Sequence, residues 1–360
     1  MEPQPDFQRV VKMARHQETD RVPLCEVLIE YPIMSQFLGR TVEPDDLASQ
    51  VEFWQKAGYD YIPLPVSMMN PGKVTQESVI SRAIREAMSR DSADGAAEGD
   101  DKSWNLEFTS FIHDRAEFER FPWEAAGALD FSKLEAVGPL LPPGMKAVAV
   151  SGKIFTLTWM LMGFNHFATS LIIEEDLVAD VFKQVAQIQF SALDKALALP
   201  WVGGVWAVDD LAFGTGPMIS PQAFRDHVFP WYGEMAKRCH AKDRIFFLHS
   251  DGDLSALMDD LIDMGLDVLQ PIDPTCMDIA AVKRQWGDRL ALVGNVSNEL
   301  LRSGQPSEVE ARVKELLSQV APGGGYGLGS GNSVPAWSKF ENYQAMRQTC
   351  LKYGAYPINL

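Results

Sequence analysis

The chain has 360 residues, 46% of them hydrophobic and 22% charged, which fits one large α/β domain or two ordinary ones with ample length to bury a core. A formal net charge of −17 argues against duplex DNA, RNA or an anionic membrane surface as partner, because none of these is bound without a basic face. Cys25, Cys239, Cys276 and Cys350 are scattered without a CxxC pair, there is no secretory leader pattern, and no run approaches the ~18 apolar residues of a membrane span. Free thiols in a reducing cytoplasm are therefore expected.

A first helix is expected from Phe7 to His16. Short apolar runs then read as strands at 22–28 (VPLCEVL), 59–66 (YDYIPLPV), 146–151 (KAVAVS), 203–209 (GGVWAVD), 244–249 (RIFFLH), 267–272 (DVLQPI), 290–295 (LALVGN) and 325–330 (GYGLGS). Helical patterns fill the gaps at 43–57, 176–198, 220–240, 253–264, 277–286, 307–320 and 338–352. The helix at 307–320 carries a start signal, Ser307 followed by Glu308 and Glu310. Eight strands, each followed by a helix and several apolar at every position, imply a parallel sheet covered on both sides. That count favours a single closed (β/α)₈ barrel over all 360 residues, with an open doubly wound sheet as the alternative. No GxGxxG opens a first unit, and the glycine-rich GGGYGLGSG (323–331) runs into a strand rather than from a strand into a helix. Residues 67–112 break the rhythm. They include the acidic tract RDSADGAAEGDDKS (90–103), which reads either as the tip of a lid-like hairpin over the barrel mouth or as a solvated loop.

In such a barrel the site gathers at the C-terminal strand ends. Those ends carry Glu26, Glu30 and Tyr31, then Ser67 to Asn70, Ser151 and Lys153, then Asp209 and Asp210. His249 and Asp251, Gln270 and Asp273, Asn295, and Ser330 with Asn332 complete the set. The set is dense in groups that ligate a metal, move protons or hold an anion. Each also has a plainer reading: Asp209 and Asp210 as turn caps, Asp251 as the cap of a helix beginning near Asp253, His249 as a satisfied core histidine, Lys153 as a loop cation. The stripe TWMLMGF (158–164) reads as packing, or as a roof for a flat apolar ligand.

Several long segments resemble the uroporphyrinogen decarboxylase superfamily: DDLAFGTGPMISPQAFRDHVFPWY (209–232), FFLHSDGDLSALMDDLIDMGLDVLQPIDP (246–274) and GNVSNELLRSG (294–304). The opening FQRVVKMARHQETDRVPLCE and the late GLGSGNSVPAWSKFENYQAM are similar to the family's first and last units. The resemblance implies a (β/α)₈ barrel and two kinds of chemistry. True decarboxylases carry an arginine-rich stretch of the form RQAGRY after the first strand to bind substrate carboxylates. Here that place reads EVLIEYPIMSQFLGR, with Glu26 and Glu30 where cations should stand, so a polycarboxylate would be repelled. Methyltransferases of the superfamily typically use His-x-Cys after the fifth strand and Cys after the eighth to hold zinc. Here the first position matches as His249, but the cysteine positions are Asp251 and Ser330.

The resemblance therefore implies a methyltransferase moving a methyl group from a small O- or N-methylated substrate to a corrinoid carried by a separate partner protein. Asp251, His249 and Asp209 are the expected catalytic groups. Glu26, Glu30, Tyr31, Lys153, Asp210, Gln270, Asn295 and Asn332 are the expected substrate-binding groups. Without the usual cysteines, zinc would need a harder N/O site from His249, Asp251 and a first-strand carboxylate, Glu26 or Glu30; the alternative is Asp251 as a general acid with no metal. Two other functions stay open at this point: a carboxy-lyase acting on a tetrapyrrole or other carboxylate, and a non-catalytic tetrapyrrole- or corrinoid-binding barrel.

Overall fold

A computed structural model describes residues 4–66, 111–127 and 129–360. Its centre is a parallel seven-stranded sheet formed by β1 (Tyr61–Pro65), β2 (Lys146–Ser151), β3 (Val202–Val208), β6 (Ile245–His249), β7 (Val268–Gln270), β8 (Ala291–Val296) and β9 (Tyr326–Ser330), hydrogen-bonded in that order. The short β4 (Ala212–Phe213) and β5 (Gly216–Pro217) form a separate antiparallel hairpin between β3 and β6. The curled sheet with helices between its strands is a TIM-like α/β fold.

The eighth strand expected at 22–28 is the exception. It contributes only isolated parallel bridges, Leu24 to Leu328 and Ile29 to Val334. The Cys25 N–H donates to the Leu328 carbonyl at 2.8 Å and the Leu328 N–H to the Pro23 carbonyl at 2.9 Å; the next bonds come only at Val334, whose N–H donates to the Leu28 carbonyl (3.0 Å) and whose carbonyl accepts from the Glu30 N–H (2.9 Å). Side chains take over at this seam. The Tyr61 hydroxyl donates to the Glu26 carbonyl and accepts from the Glu26 N–H at 3.0 and 2.9 Å.

Two apolar layers follow from strand alternation. Cys25, Val27, Tyr61, Val148, Trp206, Ile245, Phe247, Val268, Ala291 and Val293 pack inside the curl, with Phe7 and Val10 of the first helix beneath them. The intervening residues, among them Leu248, Leu269 and Leu292, pack outward against the helices. Trp206 stacks on Phe247 with ring centroids 4.8 Å apart. Gly203 is required here, because a Cβ at that position would sit 2.4 Å from the Phe7 ring.

The helices differ from expectation in detail. The stretch 220–240 is two helices, Pro221–His227 and Phe229–His240, with Pro230 in the first turn of the second. The helix expected at 307–320 runs from Pro306 to Gln319, and its capping box is Gln305 with Glu308 rather than Ser307. The helix expected from 253 begins only at Met258, so Asp251 caps nothing. The TWMLMGF stripe belongs to helices Phe155–Met162 and Phe164–Ile173 and is largely buried as packing. Of the expected excursion, 67–110 lies outside the described residues, as do Ser67 to Asn70. Among the described residues no helix is long and apolar enough to cross a membrane.

Candidate functional site

The site starts from β6, whose five residues IFFLH are all buried. Ile245 and Phe247 face the interior of the curl, so the period-two alternation carries His249 to that same face at the mouth. Val268 does the same for Gln270 on β7, and the two strands pair His249 directly with Gln270. The His249 Nδ1 and Gln270 Oε1 are 2.6 Å apart. Gln270 Nε2 donates to the Asn332 carbonyl, also at 2.6 Å. A carbonyl can only accept, so the amide nitrogen must point to Asn332 and the amide oxygen to the imidazole. This network assigns the proton to His249 Nδ1 and leaves a lone pair on Nε2, directed into the mouth.

Asp251 follows on the loop HSDGD. The Ser250 N–H donates to the Gln270 carbonyl at 3.0 Å, while the Ser250 hydroxyl oxygen accepts from the Leu211 N–H at 2.9 Å. Gly252 has φ +89°, and a Cβ there would lie 2.4 Å from the Ala212 carbonyl oxygen, so only glycine fits the turn. The Gly252 N–H reaches Asp273 Oδ2 at 3.3 Å, and the Asp251 N–H reaches Asp210 Oδ1 at 3.1 Å. Asn332 Nδ2 donates to Asp251 Oδ2. The other oxygen, Oδ1, is buried without a hydrogen-bond partner among the described residues and stands 3.9 Å from His249 Nε2. Burial pushes the Asp251 carboxyl up to about 6; Asp210 and Asp273 add to the rise, while His249 and the Asn332 hydrogen bond oppose it. Ligating atoms of Asp210, His249 and Asp251 all lie within 4.8 Å of one another, the cluster of metal-ligating side chains found among the described residues.

The other candidates divide sharply. Asn332 belongs to the site, through both its carbonyl and its amide. Asp209 sits one residue past the interior-facing Val208 and turns the opposite way. Its oxygens accept from the Phe155 N–H (2.7 Å) and Thr156 N–H (2.8 Å), and from the Tyr232 hydroxyl. It therefore caps the helix Phe155–Met162, whose own N-cap residue offers no side-chain acceptor. Burial raises this carboxyl, and the Thr156 and Tyr232 hydrogen bonds oppose the rise.

Glu26 lies outside the Asp210–His249–Asp251 cluster, so the expected ligand trio is not assembled. Its neighbours Cys25 and Val27 face the interior, which turns Glu26 to the opposite face of the seam. There its oxygens accept from the Ser330 N–H and hydroxyl at 2.7 Å each. Burial pushes this carboxyl up to about 8 against those two hydrogen bonds.

Glu30 accepts from the Ala336 N–H at 3.0 Å and precedes Tyr31, the first residue of helix Tyr31–Leu38. The half-buried Tyr31 phenol is raised by burial, then by Asp45. Asn295 is committed at both ends, donating to the Ile272 carbonyl (3.1 Å) and accepting from Arg312 (3.0 Å) of the outer helix. Lys153 is half-buried beside Gly152. Cys25 is packed in the interior and Cys276 lies beside Asp273; neither joins the cluster. Sequence reasoning overlooked Ser250 and Gly252 as supports of the loop. The glycine between two aspartates was the available signal for the second.

The profile of the uroporphyrinogen decarboxylase (URO-D) family matches residues 134–353, more than half of the chain and the part that holds β2 to β9. The chain belongs to the uroporphyrinogen decarboxylase family. No curated protein sequence matches it. Among solved structures, a methyltransferase from Methanosarcina mazei is similar in fold, with a TM-score of 0.65 at 17% identity, covering 98% of this chain and 100% of the other. In this family member the strand-end positions divide by face: His249, Asp251 and Asp210 converge, while Glu26, Asp209 and Ser330 are bound up elsewhere.

Proposed function

We propose that the protein is a methyltransferase that takes a methyl group from a small O- or N-methylated substrate for delivery to a corrinoid on a separate protein. The observation that carries this reading is the juxtaposition of His249 Nε2 and Asp251 Oδ1, 3.9 Å apart, the latter without a hydrogen-bond partner among the described residues. When bound, the corrinoid supplies the nucleophile that accepts the methyl group. As the carbon–heteroatom bond breaks, its electron pair stays on the departing oxygen or nitrogen, which then needs a proton or another positive partner. Asp251, pushed up to about 6, keeps a protonated fraction near neutral pH and is the donor we assign. Val208 pairs with His249 across β3 and β6 and packs on the interior apolar cluster, an apolar neighbour suited to the methyl-bearing part of the substrate.

A divalent metal fits the same residues. One imidazole nitrogen and the carboxylates of Asp210 and Asp251, the latter with its buried Oδ1, form a three-residue N/O donor set for zinc or a harder cation. His249, Asp251 and Asp210 would hold it, and it would supply Lewis acidity toward the departing heteroatom. Glu26 would not take part.

The test is formation of methylated corrinoid, followed by its visible bands, when the purified protein is given reduced cobalamin with methoxylated or N-methylated donors. His249→Asn and Asp251→Asn should each lower the rate ~100-fold or more. Absence of product with every donor, or full turnover in both variants, overturns the reading. Loss of carboxylates from uroporphyrinogen would replace it with the decarboxylase activity for which the family is named. Tight corrinoid or porphyrin binding without turnover would replace it with a binding protein.

A further inference from the structure

We infer that Gln270, anchored by the Asn332 carbonyl, is a positioning residue that locks His249 as the Nδ1–H tautomer and so keeps Nε2 open toward Asp251. Gln270 is fully buried between its two partners. Were its amide reversed, the NH₂ would face a ring nitrogen and the amide oxygen would face the Asn332 carbonyl, leaving two buried acceptors opposed. Asn332 acts from both ends: its carbonyl sets Gln270, and its side-chain amide takes Asp251 Oδ2 and leaves Oδ1 toward His249. A single side chain and carbonyl, those of Asn332 two residues past β9, thereby orient both halves of the His249–Asp251 pair. The significance of the lock rests on the methyltransferase reading. The lock itself can be observed without any substrate.

The experiment is nitrogen-15 NMR of the histidine rings in the full-length chain at a pH where they are neutral. His249→Asn identifies the relevant ring among the six histidines. The wild-type ring should be a single species protonated at Nδ1. Gln270→Met, close in shape but unable to accept, should shift the tautomer ratio toward Nε2–H about fivefold, the ratio a hydrogen bond of ordinary net strength maintains. Gln270→Glu, whose buried carboxyl in its protonated form donates to the Asn332 carbonyl and still accepts from Nδ1–H, should restore the wild-type tautomer. A wild-type ring protonated at Nε2, or an unchanged ratio in folded Gln270→Met, overturns the inference. Should Gln270→Met fail to fold, the wild-type ring and Gln270→Glu still decide it. A locked ring in a protein that methylates no corrinoid would refute the function and leave the lock standing.

Discussion

Replacing Glu26 with glutamine tests the seam, and the outcome should depend on pH with a definite sign. The carboxyl is fully buried and, among the described residues, accepts its hydrogen bonds from the Ser330 N–H and hydroxyl. Its value stands at about 8 against an ordinary 4.5, raised by burial. Between those values the folded chain keeps a proton that the unfolded chain has released. Stability from this group is therefore fully present below about 4.5 and is lost as pH rises toward 8. At 1.36 kcal/mol per pH unit the rise corresponds to about 5 kcal/mol, an upper bound because relaxation and water penetration relieve a buried charge. Glutamine keeps the shape and the acceptor for the Ser330 N–H and never ionises. Urea unfolding followed by tryptophan fluorescence should find Glu26→Gln within about 1 kcal/mol of wild type at pH 5. At pH 8.5 the variant should be more stable by about 2–5 kcal/mol. An equal difference at both pH values, or a loss at pH 8.5, refutes the assignment. A mouth-facing, solvated Glu26 would give no pH-linked gain.

Asp251→Asn should behave similarly but more weakly, because the side chain is one-third exposed and solvent screens it. With its carboxyl raised to about 6, the stability held below about 4 is lost by pH 7, so in chelator the variant should gain about 1 kcal/mol at pH 8 and nothing at pH 4. Gly252→Ala should cost about 2–4 kcal/mol in urea unfolding, since the added methyl meets the Ala212 carbonyl oxygen at 2.4 Å in a left-handed turn. The same variant should lose corrinoid methylation, because the turn carries Asp251. Asp209→Ala should cost about 2–4 kcal/mol by leaving the Phe155 and Thr156 N–H groups without their acceptors, and native-state hydrogen exchange should localise the loss to helix Phe155–Met162. Uniform exchange throughout the chain would count against that cap.

The strand pattern was legible because buried parallel strands are apolar at nearly every position and helices separate them. Seven of the eight expected strands lie within two residues of their expected ends or, at Val268–Gln270, inside them. The same property concealed the site. In a half-buried strand, polar and apolar residues alternate and name the faces; in a parallel strand apolar on both faces they do not. Reading every strand-end polar residue as mouth-facing therefore mixed two populations. Ser151 donates to Gln189 of the outer helix Glu175–Leu197, Asp209 caps an outer helix, and Ser330 bonds Glu26 at the seam. His249 and Gln270 share parity with Phe247 and Val268 and so reach the mouth. Asn295 has the inward parity of Val293, but Gly294 at φ +131° turns the chain and sends it to Arg312. No spacing rule in the sequence announces that turn.

The strand faces also separate Asp251 from Ser330, the two positions at which the resemblance implies zinc-binding cysteines. Restoring only the first, as Asp251→Cys, would leave one sulfur beside His249, because Ser330 is occupied with Glu26. The two replacements are thus unequal. Ser330 is part of a structural seam, whereas Asp251 has an oxygen without a hydrogen-bond partner among the described residues, 3.9 Å from the imidazole. A carboxylate-rich donor set prefers protons and harder cations to soft ones. Substrates whose departing atom is oxygen or nitrogen, which are protonated or bound by such cations, match it better than thioethers. In the corrinoid assay, methoxylated and N-methylated donors should therefore outpace methyl thioethers by at least tenfold; the reverse order would refute this match between donor set and departing atom.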